Sequence, residues 1–226
     1  MTQRLLEPVL EGARQAGADV ELVLLCERKI SPCRGCLACW VKHPGRCTQA
    51  DDMSELRERV AAADLLLLAT PVYVDGMCAQ AKMFVDRLIP LLDPHFALVD
   101  GHCRHRPAGR RLPDLALVSV CGFWELDNFD LVVEHLKRMA RNLGSRFRGA
   151  VLRPASRVLT LSASLPDKVA EVESAARRAG RELAEGAEIG PETRAQVAQP
   201  FFPVELYVEG ANLFWDRCLE KGRFPP

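Results

Sequence analysis

The strongest constraint on the fold is one short apolar run in the first half of the chain. Residues 65–70 read Leu-Leu-Leu-Leu-Ala-Thr, so a strand formed here would be apolar on both faces. Such a strand is typical of a parallel sheet with helices packed on either side. The run is also far shorter than the roughly 20 apolar residues that cross a membrane. The sequence therefore predicts a buried strand in an α/β protein without a membrane partner.

The composition excludes further classes of protein. The 226 residues carry 30 Lys and Arg against 30 Asp and Glu, which gives a formal net charge of zero. Broad attraction to nucleic acid needs an excess of positive charge, so no nucleic-acid partner is expected. The first residues lack the basic, apolar and small-residue succession of a signal peptide, which predicts a cytoplasmic protein. Nine cysteines in such a chain favour thiols, metal ligands or redox groups over a disulfide framework.

Strand-like and helix-like patterns alternate along the chain. After a helix that ends near Gly17, strands are predicted over residues 20–25, 65–70, 115–120 and 147–152. Helices are predicted over residues 52–63, 80–92, 131–143, 166–187 and 203–221, with a basic loop over 102–111. This alternation specifies a doubly wound parallel sheet with helices on both faces. We predict an α/β domain over residues 1–155 and a helical C-terminal extension over residues 156–226 that packs on it.

A compact array of cysteines is the strongest local signal for chemistry. It has the spacing C-x2-C-x2-C-x7-C and consists of Cys33, Cys36, Cys39 and Cys47. Four thiolates in one loop suit a [4Fe–4S] cluster or a tetrahedral zinc ion, and the spacing favours iron–sulfur because zinc ligands more often form two separated pairs. Thiol redox chemistry at Cys33 and Cys36 is a third interpretation. Reduced thiols that pack a loop are the fourth.

The second signal comes from two segments that each follow a predicted strand, residues 70–77 and residues 121–129. Ligands of a doubly wound sheet bind beyond the carboxyl ends of its strands, where both segments begin. Backbone groups there can hydrogen-bond a planar ring, Tyr73 can pack against it, and Gly76 permits close approach. The alternatives are an ordinary turn for the first segment and aromatic anchors for the second. The candidate cofactor-binding residues are Thr70, Pro71, Val72, Tyr73, Val74, Gly76, Met77, Gly122, Phe123 and Trp124.

Several segments together resemble one known family. They are Ile30–Trp40, Pro44–Cys47, Asp51–Met53, Thr70–Tyr73 and Gln80–Arg87. In these segments the chain resembles the flavodoxin-like NADPH-dependent FMN reductases. Within that family it most resembles the iron–sulfur flavoproteins. The match is specific over residues 5–87 and looser through the Gly122 loop to residue 154.

The resemblance implies both cofactors and an activity. It implies FMN at the ends of the strands, a [4Fe–4S] cluster on the four cysteines of the array, and reduction by NAD(P)H or a ferredoxin-like protein. Electrons would pass to a quinone, a flavin or another small acceptor, and the protein would be a homodimer or homotetramer. No residue is identified as a catalytic acid or base. The alternatives are an electron carrier between protein partners and a noncatalytic zinc or thiol redox sensor on a degenerate flavodoxin scaffold.

One part of the family pattern is absent from this chain. Family members open with a strand and a phosphate-binding loop, whereas this chain begins at the helix that follows them. In the flavodoxin-like strand order 2-1-3-4-5, that strand lies between the strands predicted over residues 20–25 and 65–70. We therefore expect about 15 to 20 further residues ahead of Met1 in the full protein. Without the phosphate contacts, the chain is expected to bind FMN weakly.

Overall fold

The computed structural model describes residues 1–107, 109 and 111–224. The strands are β1 (Leu65–Tyr73), β2 (Gly76–Met77), β3 (Leu92–Val99), β4 (His102–Pro107), β5 (Asp114–Val120) and β6 (Phe147–Arg153). The helices are α1 (Thr2–Gln15), α2 (Ala38–Val41), α3 (Met53–Ala62), α4 (Ala79–Asp86), α5 (Asp130–Leu143), α6 (Pro166–Ala184), α7 (Pro191–Ala198) and α8 (Val204–Lys221). Short 3-10 helices lie at Leu25–Glu27, Ile89–Leu91, Leu126–Phe129 and Ser156–Leu161.

The central sheet has the strand order β2-β1-β5-β6. Strands β1, β5 and β6 are parallel, and the register places Leu65 opposite Asp114 and Pro71 opposite Val120. The two-residue strand β2 runs antiparallel to the end of β1. The parallel sheet predicted from the apolar run is therefore confirmed, and β1 extends three residues beyond the run into Tyr73.

Both faces of this sheet are covered by helices. All seven residues of β5 are buried, and their side chains alternate between two hydrophobic clusters. Ala116, Val118 and Val120 belong to the cluster that includes residues of α1 and α6. Leu115 and Leu117 belong to the cluster that includes residues of α3, α4 and α5. This alternation explains why the strand is apolar at every position, and it confirms the doubly wound architecture.

Two glycines allow α1 and α6 to pack in backbone contact. A Cβ atom added at Gly180 would lie 1.9 Å from the carbonyl oxygen of Val9, and one at Gly12 would lie 1.9 Å from that of Arg177. Helices α6 and α7 thereby contribute to the same core as α1, β5 and β6. The division of the chain into units at residue 155 stays a prediction.

The strand predicted over residues 20–25 is not formed. Residues 18–24 form no regular secondary structure and have no ladder partners, and Leu22 and Leu24 are exposed. Among the described residues, none pairs with the outer edge of β1 from Leu65 to Pro71, since β2 covers only Val72 and Tyr73. A strand needs a partner for its N–H and C=O groups, so residues 20–25 cannot act as one where no neighbouring strand is present.

The region between α4 and β5 also differs from the prediction. The helix predicted over residues 80–92 ends at Asp86, and Leu92 begins β3 instead. Much of the predicted basic loop over 102–111 is strand β4, which pairs with β3 in an antiparallel hairpin. Residues 108 and 110 of that predicted loop lie outside the described residues. No described helix is both long and apolar enough to cross a membrane.

We expect Gly180→Ala to lower the free energy of unfolding by at least about 2 kcal/mol, because the new methyl group forces α1 and α6 apart. The matched control is Gly210→Ala in α8, where an added Cβ meets nothing within 4 Å. That change is expected to raise the free energy of unfolding by about 0.5–1 kcal/mol through helix propensity. Urea denaturation of both variants measures the two effects, and equal effects of one sign would contradict this account of the crossing.

Candidate active site at the carboxyl edge of the sheet

The first predicted ligand-binding segment is a hairpin rather than an open loop. Val72 pairs with Met77 and Tyr73 with Gly76, because the backbone reverses at Val74 and Asp75 with φ of 49° and 60°. This pairing satisfies backbone groups that an open loop would leave to solvent. The turn leaves the side chains of Tyr73 and Val74 exposed, by 66% and 99%. The hairpin therefore presents to solvent an aromatic ring and the backbone of its unpaired turn residues, Val74 and Asp75.

Hydrogen bonds that Thr70 accepts fix the base of this hairpin. The N–H of Cys78 donates to Thr70 Oγ1 over 3.0 Å, and Ser119 Oγ donates to the Thr70 carbonyl oxygen over 2.7 Å. Thr70 is fully buried, whereas Pro71 is partly buried beside Val120 of β5. Thr70 and Pro71 thus support the exposed part of the site from within the sheet.

The second predicted segment follows β5. It pairs with the residues after β6, as β5 pairs with β6. The N–H of Ala155 donates to the Phe123 carbonyl oxygen over 2.7 Å, and the hydroxyl of Tyr207 donates to the Gly122 carbonyl oxygen. Phe123 is 69% exposed. Trp124 is partly buried, with its ring 5.6 Å from that of Tyr207. The two aromatic residues therefore differ: Phe123 is free at the surface, and Trp124 is an anchor on α8.

The two segments lie at the same edge of the sheet. Because Pro71 is opposite Val120 in a parallel pair, the chain leaves β1 and β5 at neighbouring positions. A Cβ atom added at Gly122 would meet nothing within 4 Å, so the space beside this backbone is open. Exposed aromatic rings, free backbone and open space fit the flat ring of a flavin. The sequence contains no G-x-G-x-x-G or P-loop segment to hold the flavin phosphate.

Burial shifts the pKa of three ionisable groups behind the second segment. Burial raises the pKa of the Cys121 thiol and that of the Tyr207 hydroxyl. Arg153, at the end of β6, is 1% exposed, and its Nη1 donates to the carbonyl oxygens of Val197 and Gln199. Burial lowers the pKa of Arg153 to about 10, so its guanidinium remains charged at neutral pH. These groups support the edge of the sheet and keep their protons at neutral pH.

The cysteine array lies in the loop ahead of α3. Cys33 and Cys36 are exposed, Cys47 is partly buried, and Cys39 on α2 is buried. Burial is the main cause that raises the pKa of Cys39, and the charge of Cys47 is the second. Cys33 and Cys36 make smaller contributions in the same direction. The other three thiols are therefore near enough to Cys39 to affect it. Within residues 1–107, 109 and 111–224, no three His, Cys, Asp or Glu side chains are arranged to hold one metal ion.

A buried ion pair ties this loop to the end of α4. Arg87 is 2% exposed and donates from Nη1 and Nη2 to the two carboxylate oxygens of Asp51, over 2.8 and 3.0 Å. Its Nη1 also donates to the Ser31 carbonyl oxygen over 2.7 Å. Although burial would raise the pKa of Asp51, the hydrogen bonds from Arg87 and from the N–H of Ser31 keep it below its ordinary value of 3.8. The pair thus holds both ends of the cysteine loop.

The β3–β4 hairpin supports the loop from the other side. Trp40 Nε1 donates to the Leu92 carbonyl oxygen over 2.8 Å, and the Trp40 ring lies 4.8 Å from that of His105. Phe96 packs on the same histidine, with ring centroids 5.0 Å apart. The short helix α2, which carries Cys39, is therefore fixed against a hairpin that the sequence analysis did not predict.

The donor chemistry and the charge of this region fit an anionic metal–thiolate cluster. Four thiols are the ligand set of a [4Fe–4S] cluster. Two buried arginines, Arg57 and Arg87, lie near Cys47, whose charge affects the pKa of both, and Asp51 neutralises one of them. Arg57 is not among the site residues predicted from the sequence. Arg57 lies on the same face of α3 as the apolar residues Met53, Leu56 and Val60. This helical spacing is the sequence signal that the charge is buried.

We expect Asp51→Asn to lower the free energy of unfolding by about 3–5 kcal/mol, because it leaves Arg87 buried without its counter-charge. The pKa of Asp51 is below 3.8, so the stabilisation is present at neutral pH and is lost as the pH falls below that value. Urea denaturation at pH 7 and in acid measures both effects.

The control for this variant is Asp86→Asn, which removes a surface ion pair with Lys82. Its expected cost is at most about 0.5 kcal/mol. Equal costs for the two variants at pH 7 would contradict the role assigned to the buried pair.

Comparison with known proteins identifies the family. Residues 1–122 match the family model described as NADPH-dependent FMN reductase. An iron–sulfur flavoprotein from Archaeoglobus fulgidus is 40% identical over 87 residues, which are 38% of this chain and 39% of that protein. One from Methanocaldococcus jannaschii is 36% identical over 90 residues, or 40% of this chain and 46% of that protein. The chain spans about two fifths to a half of the length of these relatives.

Solved structures agree on the fold. An NAD(P)H:quinone oxidoreductase from Methanothermobacter marburgensis superposes with a TM-score of 0.55 at 18% identity, over 80% of this chain and 89% of that chain. An FMN-dependent NADH-azoreductase from Bacillus anthracis has a TM-score of 0.56 at 15% identity, over 82% and 90%. These likenesses show the flavodoxin-like fold. Since the family model covers more than half of the chain, the protein belongs to the NADPH-dependent FMN reductase family, near the iron–sulfur flavoproteins.

Proposed function

We propose that the protein is an FMN-dependent NAD(P)H oxidoreductase that passes electrons to a quinone, a flavin or another small acceptor. The observation that carries this proposal is the open aromatic edge formed by the β1–β2 hairpin and the Gly122 loop, in a chain of the FMN reductase family. When bound, FMN supplies a ring that accepts hydride and delivers electrons singly or in pairs. The protein then needs to bind and orient the ring and its partners, which requires no catalytic acid or base.

The residues at this edge have different roles in binding the flavin ring. Tyr73 and Phe123 supply exposed aromatic faces that pack on the ring, and the exposed turn at Val74 offers backbone groups beside Tyr73. Gly76 pairs with Tyr73 and leaves room for close approach. Gly122 leaves room for close approach. Beneath them, the packing of the partly buried Val72, Met77 and Trp124 onto the two cores holds the exposed residues in place.

We expect Phe123→Ala to weaken FMN binding about tenfold, because it removes one aromatic face from the site. Phe96→Ala is the control, since Phe96 is also an exposed aromatic residue, at 61%, but lies on β3. Titration of FMN followed by quenching of its fluorescence measures both dissociation constants. Equal affinities of the two variants would contradict this placement of the ring.

The second cofactor in this proposal is a [4Fe–4S] cluster on Cys33, Cys36, Cys39 and Cys47. Its support is the ligand spacing, the surplus of buried positive charge, and the name iron–sulfur flavoprotein carried by relatives of this chain. When bound, the cluster supplies a one-electron carrier beside a two-electron cofactor.

A second candidate function is an electron carrier between protein partners. The exposure of Cys33 and Cys36 favours it, because a centre bound there lies near the surface, within reach of a ferredoxin-like protein. Steady turnover of NAD(P)H with a quinone would favour the enzyme, and turnover only with a reduced ferredoxin would favour the carrier. We propose a homodimer or homotetramer in either case, which sedimentation equilibrium tests.

The test of both cofactors is anaerobic purification of this chain and of any longer form that its gene encodes, followed by flavin, iron and zinc analysis. We expect about one FMN, bound more tightly by a form with a phosphate loop, and about four iron atoms per chain. Cys36→Ala is expected to lose the iron. Cys26→Ala, an exposed cysteine outside the array, is the control that retains it.

Any other result of the flavin, iron and zinc analysis would contradict part of the proposal. A colourless, flavin-free protein in every form would contradict the oxidoreductase. Flavin without iron would leave a plain FMN reductase whose four cysteines are thiols. About one zinc per chain, with neither iron nor flavin, would identify the noncatalytic redox sensor instead.

A further inference from the structure

The side chain of Arg57 is the most anomalous charge in the described part of the chain. It lies on α3, is only 5% exposed, and its Nη1 atom is buried without a hydrogen-bond partner among the described residues. Buried arginines are normally paired with a carboxylate or bonded to carbonyl oxygens. Arg153 follows that rule through two carbonyl oxygens, and Arg87 follows it through Asp51. Arg57 therefore needs a partner of another kind.

The nearby carboxylates do not supply this partner. Asp51 already accepts hydrogen bonds from both terminal nitrogens of Arg87 and from the N–H groups of Ser31 and Met53. Glu58 is exposed, so solvent screens its charge. In the described residues, Arg57 forms no ion pair within 4.0 Å. One uncompensated positive charge thus remains buried on α3.

Two thiols of the array, Cys47 and Cys39, lie near enough to Arg57 to affect its charge. Burial is the main cause that lowers the pKa of Arg57, and the charge of Arg87 lowers it further, whereas the charges of Cys47, Glu58 and Cys39 favour the charged guanidinium. Both cysteines belong to the predicted ligand set of the cluster. Cys39 is buried and Cys47 is partly buried, so Arg57 and these two ligands are all shielded from solvent.

We infer that Arg57 compensates the negative charge of the thiolate-held cluster and sets its reduction potential. This inference rests on the proposed [4Fe–4S] cluster. Four thiolates on the cluster core leave a net negative charge, and reduction adds one electron and one further negative charge. A fixed buried cation stabilises the reduced form more than the oxidised form, since the attraction grows with the charge of the cluster. The arginine therefore raises the potential without touching a reacting atom.

The test compares substitutions at residue 57 in the anaerobically reconstituted full chain. The readouts are the midpoint potential of the cluster, from a redox titration monitored by electron paramagnetic resonance, and the iron content. Arg57→Met removes the charge and retains most of the bulk, whereas Arg57→Lys retains the charge. Arg59→Met is the control on the same helix, because Arg59 is part-exposed and paired with Glu21 and Glu55.

The expected result is a lower midpoint potential for Arg57→Met, most of the wild-type potential for Arg57→Lys, and no shift for Arg59→Met. Full iron content in Arg57→Met with an unchanged potential would overturn the inference. If Arg57→Met does not hold iron, a third substitution, Arg57→Gln, is compared with Arg57→Lys. Loss of iron or a lower potential in Arg57→Gln, with both restored in Arg57→Lys, supports a role for the charge. Loss in Arg57→Lys as well overturns it.

Failure of the proposed function has a different signature. A wild-type protein that holds no iron in any form would refute the cluster and this role with it. A wild-type protein that holds about four iron atoms, with a potential that does not respond to residue 57, would refute this role alone.

Discussion

The buried pair between Arg87 and Asp51 connects the parts of the molecule on which its function depends. Arg87 lies directly after α4, which follows the β1–β2 hairpin. Asp51 lies between the cysteine array and α3. Through the carbonyl and N–H groups of Ser31, the same two side chains also hold the start of the cysteine loop. One ion pair thus fixes the proposed cluster site relative to the edge where the flavin would bind. Its burial is costly, so the hydrogen bonds that surround it are essential to its stability.

Elements with a strong local pattern were predictable from the sequence. Strands β1, β5 and β6 and helices α3, α5 and α6 were predicted nearly within their observed bounds, because each carries an apolar periodicity of its own. The strand predicted over residues 20–25 failed since a strand also needs a neighbour, which is a non-local condition. The β3–β4 hairpin was missed although Asp100-Gly101 at its turn, both with positive φ, is a recognised hairpin signal. The short helix α7 has a weak pattern and was also missed.

The candidate site was predictable to a similar extent. The carboxyl ends of β1 and β5 and the cysteine spacing are properties of the sequence, and the structure brings the two predicted segments to one edge. The separate environments of Phe123 and Trp124 depend on α8, which is remote in sequence. Arg57 is inconspicuous in a chain with 30 basic residues. Its significance comes from burial without a carboxylate partner, and only the packed structure supplies that fact.

The central claim is that a flavin bound at the carboxyl edge of this sheet takes electrons from a nicotinamide. Anaerobic rapid mixing of the FMN-loaded protein with NADPH, and separately with NADH, tests it most directly. The account predicts that the oxidised flavin absorbance disappears with one equivalent of the preferred nicotinamide, and that a quinone restores it. Bound flavin that neither nicotinamide reduces, in a protein with its full cofactor content, would contradict the claim.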